Sequence, residues 1–273
     1  MALALSASAS ASWPTRQTCI LFVLTIDDTA EQWTQAASSE QRTAKSEEHS
    51  GNGRQRRRPR RSDLKNPRTK NSRTMSASAA RIQFKALKGF PGNAADKIET
   101  RAFLDAALEI VTVIETFGKL FTPVINDMNG NIDKLSRVYG ENVLKHHYLE
   151  DMIVLNIKGE NVAPNALLWL KRGLQLICIF FENIYNDDQK QEALKHHLQN
   201  AYERTLKQYH GFIVQSTIKI IYAWVPTRKQ LLGQGEDQEE NLVVMSDYLP
   251  TMRAQLNKID ALLKAHNLDE APH

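Results

Sequence analysis

The sequence predicts an all-α domain of seven or eight helices that begins near Ile98. From that point apolar residues recur every three or four positions, which is the spacing of one helix face. No run alternates between apolar and polar residues as a half-buried strand does. Glycine, proline and short polar stretches separate the helical runs, so the connections are short. No unit of about 20–50 residues repeats, which argues against a helical repeat array.

Capping and breaking residues set the helix boundaries. Thr100 and Thr122 can cap the free N–H groups at helix starts, and Pro123 fits a first turn. The run 164–185 is apolar nearly all round, so we expect that helix at the centre of the domain. Pro250 falls inside the last helix and is expected to bend it. The predicted helices cover residues 100–117, 122–139, 141–157, 164–185, 187–208, 210–224, a short turn after Pro226, and 239–265.

The first part of the chain differs from the rest. Residues 1–74 are predicted to form a disordered, Arg-rich N-terminal extension, and residues 75–97 a linker to a folded domain at 98–273. The extension carries 13 Lys/Arg against 7 Asp/Glu, whereas the remainder carries 22 against 24. Its apolar run 19–26 is far shorter than the about 20 residues that a membrane span needs. Met75 opens a segment of its own and is a second candidate for the start of translation.

A basic cluster stands out within the extension. Residues 54–61 hold six arginines. Such a cluster is typical of a nuclear address or of a patch for anionic lipid or RNA. A solvated tail has the same composition, so all three interpretations stay open. The folded part has no basic excess, and we therefore expect no nucleic-acid partner for it.

The sequence contains no motif that indicates an enzyme. It has no Gly-rich phosphate loop, no nucleophile elbow and no paired-cysteine metal site. The doublets at 146–147 and 196–197 each offer only one histidine to a given site, because adjacent helical residues point about 100° apart. Cys19 and Cys178 form no disulfide framework, which suits a reducing, cytoplasmic setting. We expect no metal and no cofactor.

Three polar residues share one stripe of the helix 122–139. At the helical repeat, Asn131 lies about 40° from Asp127, and Lys134 lies about 20° to the other side. Gly130 costs about 1 kcal/mol against alanine in mid-helix, which indicates room for something to approach closely. A solvated charged face is the alternative interpretation of this stripe.

Two further residues turn the stripe into a more specific pattern. Trp169 lies in an apolar run directly before Lys171 and Arg172, and His210 lies among aromatic neighbours. A lone tryptophan or histidine on an apolar helix is usually part of the core. Together with an acid, an amide and an ammonium, however, a flat indole suits a sugar ring. A polar mouth above an apolar interior favours a ligand with a sugar head and hydrocarbon tails.

Four stretches of the chain resemble the glycolipid transfer protein family, in the right order and over nearly the whole predicted domain. They are residues 121–134 (FTPVINDMNGNIDK), 166–174 (ALLWLKRGL), 200–215 (NAYERTLKQYHGFIVQ) and 248–268 (YLPTMRAQLNKIDALLKAHNL). The last stretch most resembles the glycolipid-transfer domain of the phosphoinositide four-phosphate adaptor protein. That adaptor also carries an N-terminal pleckstrin-homology domain, for which residues 1–74 are too short.

The resemblance implies a two-layer helical sandwich of about eight helices that encloses an apolar lipid chamber. Such a protein is not an enzyme and carries one glycosphingolipid between membranes. By position in the family, Asp127 would accept from the ceramide amide N–H, and His210 would donate to its carbonyl. Asn131 and Lys134 would bond sugar hydroxyls, while Trp169 would stack on the ring.

The residue at position 169 also distinguishes two cargoes. In the family branch that carries ceramide-1-phosphate, an arginine stands where Trp169 is. A cation suits a phosphate, and an indole suits a sugar. The resemblance therefore favours a neutral monohexosylceramide of the glucosylceramide type, with ceramide-1-phosphate as the alternative cargo.

Family positions and helix faces also predict the apolar surfaces. Phe212 stands where many members carry a tryptophan; it keeps the apolar wedge but lacks the indole N–H. The docking residues are expected to be Phe212 and Trp224 with the cations Lys219, Arg228 and Lys229. The chamber is expected to be lined by Phe103, Ile114, Leu176, Phe180, Val214 and Ile218.

The expected setting is a cytoplasmic monomer that touches membrane surfaces transiently. Its partners would be a glycosphingolipid ligand and the membranes it serves. The alternative is a sphingolipid sensor or adaptor that uses the basic extension to reach a partner or an anionic membrane.

Overall fold

A computed structural model of the protein describes residues 84–92, 96–157 and 162–269, without the side chain of Lys85. All of them lie in the unit Ser78–His273. The predicted extension 1–74, with its arginine cluster, lies outside the described residues, and so does Met75.

The described residues form eight α-helices and no strand, so the prediction of an all-α fold of about eight helices is confirmed. One isolated antiparallel bridge joins Glu99 to Tyr148. No helix in these ranges is both long and apolar enough to cross a membrane. The helices are α1 (Thr100–Glu115), α2 (Thr122–Glu141), α3 (Leu149–Asn156), α4 (Val162–Tyr185), α5 (Lys195–Arg204), α6 (Phe212–Ile221), α7 (Arg228–Leu232) and α8 (Glu236–Ala265).

Helix α4 lies at the centre of the domain, as its apolar sequence predicts. It packs against α2 and α8 along much of its length and also contacts α5 and α3. Helix α1 also packs against α2. Because α4 is apolar nearly all round, almost every turn of it is buried. Any polar side chain on α4 therefore needs a partner or a special reason to be there.

The predicted helix 141–157 is wrong in its first half, because α3 begins only at Leu149. Residues 142–148 form turns that are held by the start of α1. Thr100 donates from its backbone N–H to the His147 carbonyl and from its hydroxyl to the His146 carbonyl. His146 Nδ1 lies 2.6 Å from the carbonyl oxygen of Val138, near the end of α2. These bonds replace the helical ones.

The predicted helix 187–208 also begins too early, because α5 starts at Lys195. The Asp187 carboxylate accepts from the backbone N–H groups of Gln189 and Gln191. An aspartate that bonds its own following backbone favours a turn over a helix. After α5 the chain makes a 3₁₀ turn, Lys207–Tyr209, and the predicted helix 210–224 becomes α6 and a second 3₁₀ turn, Tyr222–Trp224.

Residues 84–92 belong to the predicted linker, but they pack on the helices. Phe84 and Phe90 are part of the hydrophobic core. Gln255 on α8 donates to the Pro91 carbonyl, and Glu109 on α1 accepts from the backbone N–H groups of Lys88 and Gly89. Two buried rings and paired backbone groups extend the folded part before Ile98.

The last two helices begin close to their predicted positions. Thr227 caps α7 in a reciprocal capping box with Gln230. Gly235 precedes α8 with a positive φ of 58°, a conformation that glycine adopts without a steric penalty. Helix α8 starts at Glu236 rather than at Glu239 and continues through Pro250.

Candidate functional site

The polar stripe, which consists of Asp127, Asn131 and Lys134, lies on α2. Asn131 is buried, and its amide donates to the backbone carbonyl of Asp127 over 3.0 Å. Solvent reaches the Asp127 side chain, yet the surrounding protein removes part of its hydration. This desolvation raises the pKa of Asp127, and the Lys134 ammonium opposes the shift. A carboxylate in such a position gains from a ligand that donates a hydrogen bond to it.

Two glycines, Gly173 on α4 and Gly130 on α2, show how closely the protein packs next to the polar stripe. A side chain at Gly173 would meet Met128 at 3.7 Å, so the two helices touch one residue away from both Asp127 and Arg172. At Gly130, by contrast, nothing lies within 4 Å of where a Cβ atom would stand. The room that Gly130 was predicted to provide is therefore open space beside the polar stripe.

Trp169 and Arg172 lie one turn apart on α4 and meet Tyr209. The Arg172 guanidinium carbon lies 3.5 Å from the centre of the Tyr209 ring and 4.9 Å from that of Trp169. The two rings pack edge to face at 6.4 Å. A buried guanidinium between aromatic faces is favourable and restrains both rings. Lys171 instead forms an ion pair with Asp260 on α8.

Arg172 is buried but not fully bonded. Its side chain is 3% exposed, and one terminal nitrogen, Nη2, donates to the Asp269 carbonyl over 2.8 Å. The other, Nη1, is buried and has no partner among the described residues. Burial lowers the pKa of Arg172, although arginine stays charged at neutral pH. A buried donor without a partner is a candidate ligand contact.

His210, which lies between the 3₁₀ turn Lys207–Tyr209 and α6, belongs to the same group of side chains. Its Nδ1 lies 3.1 Å from the hydroxyl of Tyr202 on α5. Burial lowers the pKa of His210, and the nearby Arg172 cation lowers it further. The imidazole is therefore uncharged at neutral pH. A neutral imidazole carries a hydrogen on one ring nitrogen and can donate to a carbonyl oxygen from that nitrogen.

We call Trp169, Arg172, Tyr202, Tyr209 and His210 the mouth cluster. The structure brings the predicted Trp169 and His210 together through Arg172, while the polar stripe lies on the helix packed against α4. The sequence missed the roles of three members. The spacing of Trp169 and Arg172, three residues on one helix, could have indicated their contact. Tyr209 lies in a 3₁₀ turn that the sequence did not predict, and Tyr202 lies on α5, inside a predicted helix, but its contact with His210 depends on the turn that follows α5.

The predicted chamber-lining residues occupy two kinds of position. Three of them, Phe103, Ile114 and Phe180, are fully buried in the hydrophobic core. Leu176 and Ile218 are partly buried against that core, and Val214 is half-buried. Their contact with a lipid chain stays a prediction.

The predicted docking helix α6 is unusually exposed for an apolar helix, and Ile221 is its one buried residue. Phe212 is 82% exposed and Ile213 59% exposed. Lys219 is exposed and Trp224 half-buried. The prediction for Arg228 is wrong: it is buried and bonded to Asp187, so it is not a docking cation. Lys229, the next residue, is exposed.

The histidine doublets have structural partners. His146 bonds the Val138 carbonyl, and His197 bonds the Asp187 carboxylate. Within the described ranges, no group of three or more His, Cys, Asp or Glu residues could hold a metal ion.

Comparison with known proteins relates the chain to lipid-binding proteins. Residues 98–236 match the family model for glycolipid transfer protein (GLTP). Pleckstrin homology domain-containing family A member 8 of Homo sapiens is 29% identical over 212 residues, which are 72% of this chain and 39% of that protein. The Danio rerio protein of the same name is 31% identical over 188 residues, which are 63% and 34%. The chain thus spans between about a third and two fifths of the length of these relatives.

Three solved structures share the fold. The GLTP-fold of FAPP2, which selects simple glycosphingolipids, has a TM-score of 0.60 at 27% identity, over 72% of this chain and 97% of that chain. The fungal glycolipid transfer protein HET-C2 has a TM-score of 0.61 at 27% identity, over 66% and 95%. Mouse ceramide-1-phosphate transfer protein has a TM-score of 0.60 at 17% identity, over 64% and 91%, and supports the fold alone.

Proposed function

Because the chain belongs to the glycolipid transfer protein family, we propose that it carries one monohexosylceramide between membranes. The observation that carries the proposal is the half-buried Trp169, held by Arg172 and Tyr209. A restrained indole face suits the C–H face of a sugar ring. The similarity to FAPP2, which selects simple glycosphingolipids, supports the same choice.

In this proposal each polar residue of the site binds a different group of the lipid head. Asp127, with its raised pKa, accepts from the ceramide amide N–H, which gives the carboxylate a partner. His210 donates to the amide carbonyl, and Asn131 and Lys134 bond sugar hydroxyls. Each methylene of the two chains gains about 0.8 kcal/mol by leaving water, so the lipid stays bound during transit. No covalent step is involved.

Ceramide-1-phosphate is the second candidate cargo, and one observation favours it. Arg172 has an unpaired Nη1 among the described residues, and a phosphate is a strong acceptor. The guanidinium, however, is covered by the rings of Tyr209 and Trp169 and bonds the Asp269 carbonyl. We therefore favour a lipid with a neutral sugar head group over ceramide-1-phosphate.

A vesicle transfer assay with both lipids tests this order. Trp169→Arg removes the stacking face and adds a second cation beside Arg172, so transfer of monohexosylceramide should fall about tenfold or more. Transfer of ceramide-1-phosphate should stay equal or rise. Trp169→Phe keeps an aromatic face and should lose much less. A parent protein that prefers ceramide-1-phosphate contradicts the proposal.

We further propose that α6 docks on the membrane and that the protein acts as a cytoplasmic monomer. Phe212 and Ile213 are the exposed wedge, with Trp224 and the cation Lys219 beside it. Replacing Phe212 and Ile213 by serine should reduce vesicle binding several-fold without loss of helicity. The control is Val243→Ser, which changes an equally apolar and 64% exposed residue on α8. Equal effects of the two changes would contradict docking by α6.

A further inference from the structure

The ring of His210 has one hydrogen-bond partner among the described residues, the hydroxyl of Tyr202. The oxygen lies 3.1 Å from Nδ1, and the Tyr202 side chain is 3% exposed. Nε2 has no protein partner in the same part of the chain, and the histidine is half-buried. One ring nitrogen therefore faces a buried hydroxyl, and the other is available to a ligand.

The direction of this bond follows from the buried hydroxyl. A tyrosine hydroxyl can donate to Nδ1 or accept from it. Within the described residues Nδ1 is its one partner, so an accepting hydroxyl would leave its own hydrogen buried and unpaired. An unpaired buried donor costs more than the bond gains. The hydroxyl therefore donates, and burial, which raises the pKa of Tyr202, keeps that hydrogen in place.

The surroundings fix the geometry of the pair. Tyr222, which is buried beside α5, packs edge to face on Tyr202 with ring centroids 6.2 Å apart. The rings of Tyr202 and His210 lie 5.6 Å apart. Arg172 disfavours a second proton on the imidazole. A neutral imidazole that accepts at Nδ1 carries its hydrogen on Nε2.

We propose that Tyr202 is a positioning residue of the site: its hydroxyl donates to His210 Nδ1 and holds the ring hydrogen on Nε2, where it donates to the carbonyl of an amide-bearing lipid. The identity of that lipid rests on the proposed function, whereas the tautomer does not. Without Tyr202, the two neutral tautomers compete, and only one of them presents a donor to the ligand.

Nitrogen-15 NMR of the imidazole nitrogens in the full chain tests the tautomer directly. His210→Gln identifies the His210 signals among the eight histidines. The parent should show the Nε2–H tautomer, and Tyr202→Phe should show a mixture. Tyr222→Phe, which keeps its ring and removes a hydroxyl that does not bond His210, should match the parent. An Nδ1–H tautomer in the parent, or an unchanged tautomer in Tyr202→Phe, overturns the proposal.

Binding of monohexosylceramide tests the consequence. Tyr202→Phe should weaken it about three- to tenfold, as expected for one weakened hydrogen bond, and Tyr222→Phe should leave it unchanged. A shifted tautomer with unchanged affinity overturns the positioning role. If the parent binds no monohexosylceramide, the proposed function fails, while the NMR result still decides the tautomer. The parent spectrum decides the tautomer even if Tyr202→Phe does not fold.

Discussion

Two of the polar clusters among the described residues differ in how completely they are bonded. The first, the anchor network of Asp187, His197 and Arg228, joins the loop after α4 to α5 and α7. Arg228 donates to Asp187 and to the carbonyl groups of Ile184 and Gln191. His197 Nε2 lies 3.3 Å from Oδ2 of Asp187, the same oxygen that accepts from Arg228. None of its three side chains has a buried polar atom without a partner.

The second cluster is the mouth cluster with the polar stripe beside it, and it is incompletely bonded. Arg172 leaves Nη1 unpaired among the described residues, and His210 leaves Nε2 available. The pKa of Asp127 is raised by desolvation, whereas the anchor network lowers that of Asp187 against the effect of burial. A polar cluster that serves the fold is satisfied by the protein itself. One that serves a ligand keeps donors and acceptors for it.

We expect the largest effect on transfer from a substitution in the incompletely bonded group, the mouth cluster and the polar stripe. Asp127→Val removes the acceptor for the amide N–H and should reduce monohexosylceramide transfer about tenfold or more. The raised pKa of Asp127 means that folding disfavours its ionised form, so stability increases as pH falls through that raised pKa toward the ordinary aspartate value. Removing the charge should therefore leave the midpoint of urea unfolding unchanged or raise it.

The matched control is Asp133→Val, because Asp133 is an exposed aspartate of the same helix. It should leave transfer unchanged. A loss of stability in Asp127→Val, or equal transfer by the two variants, would show that Asp127 serves the fold and not a ligand.

A substitution in the anchor network should have the opposite effect: it should lower stability and leave the lipid preference unchanged. Arg228→Leu leaves Asp187 without its cation and should lower the free energy of unfolding by about 2–3 kcal/mol. The value is at the low end for buried pairs, since Asp187 keeps His197 and the backbone N–H groups of Gln189 and Gln191 as partners. At a temperature where the variant is folded, its ratio of monohexosylceramide to ceramide-1-phosphate transfer should equal that of the parent. Urea unfolding and the two-lipid assay measure both quantities, and a changed ratio would argue against two separate roles.

The sequence predicted the helical class and the positions of most helices, because apolar periodicity and caps are local signals. It failed where a side chain bonds backbone groups outside the helical pattern. Before α5, Asp187 bonds the backbone N–H groups of Gln189 and Gln191, a local turn that apolar periodicity does not reveal. Thr100 bonds the distant carbonyl groups of residues 146–147, and these bonds depend on tertiary packing, which periodicity does not contain. The inclusion of Phe84 and Phe90 in the core has the same cause.

The candidate site followed from the sequence only in part. Asp127, Asn131 and Lys134 were predicted as one stripe because they share one helix. The sequence indicated Arg172 only as a neighbour of Trp169. In the structure Lys171 pairs with Asp260 on α8, and Arg172 bonds the carbonyl of Asp269 after α8. A pattern on one helix does not tell which of two adjacent cations faces the site.

The most direct test of the central claim, that the polar stripe and the mouth cluster together bind a sugar-headed ceramide, is native mass spectrometry. The full chain is incubated with vesicles that contain equal amounts of monohexosylceramide and ceramide-1-phosphate. The protein is then separated from the vesicles, and the mass of the protein with its bound lipid is measured. We predict one monohexosylceramide per chain in the parent and a much smaller bound fraction in Asp127→Val, with Asp133→Val like the parent. Bound ceramide-1-phosphate in the parent, or equal occupancy in all three proteins, would contradict the account.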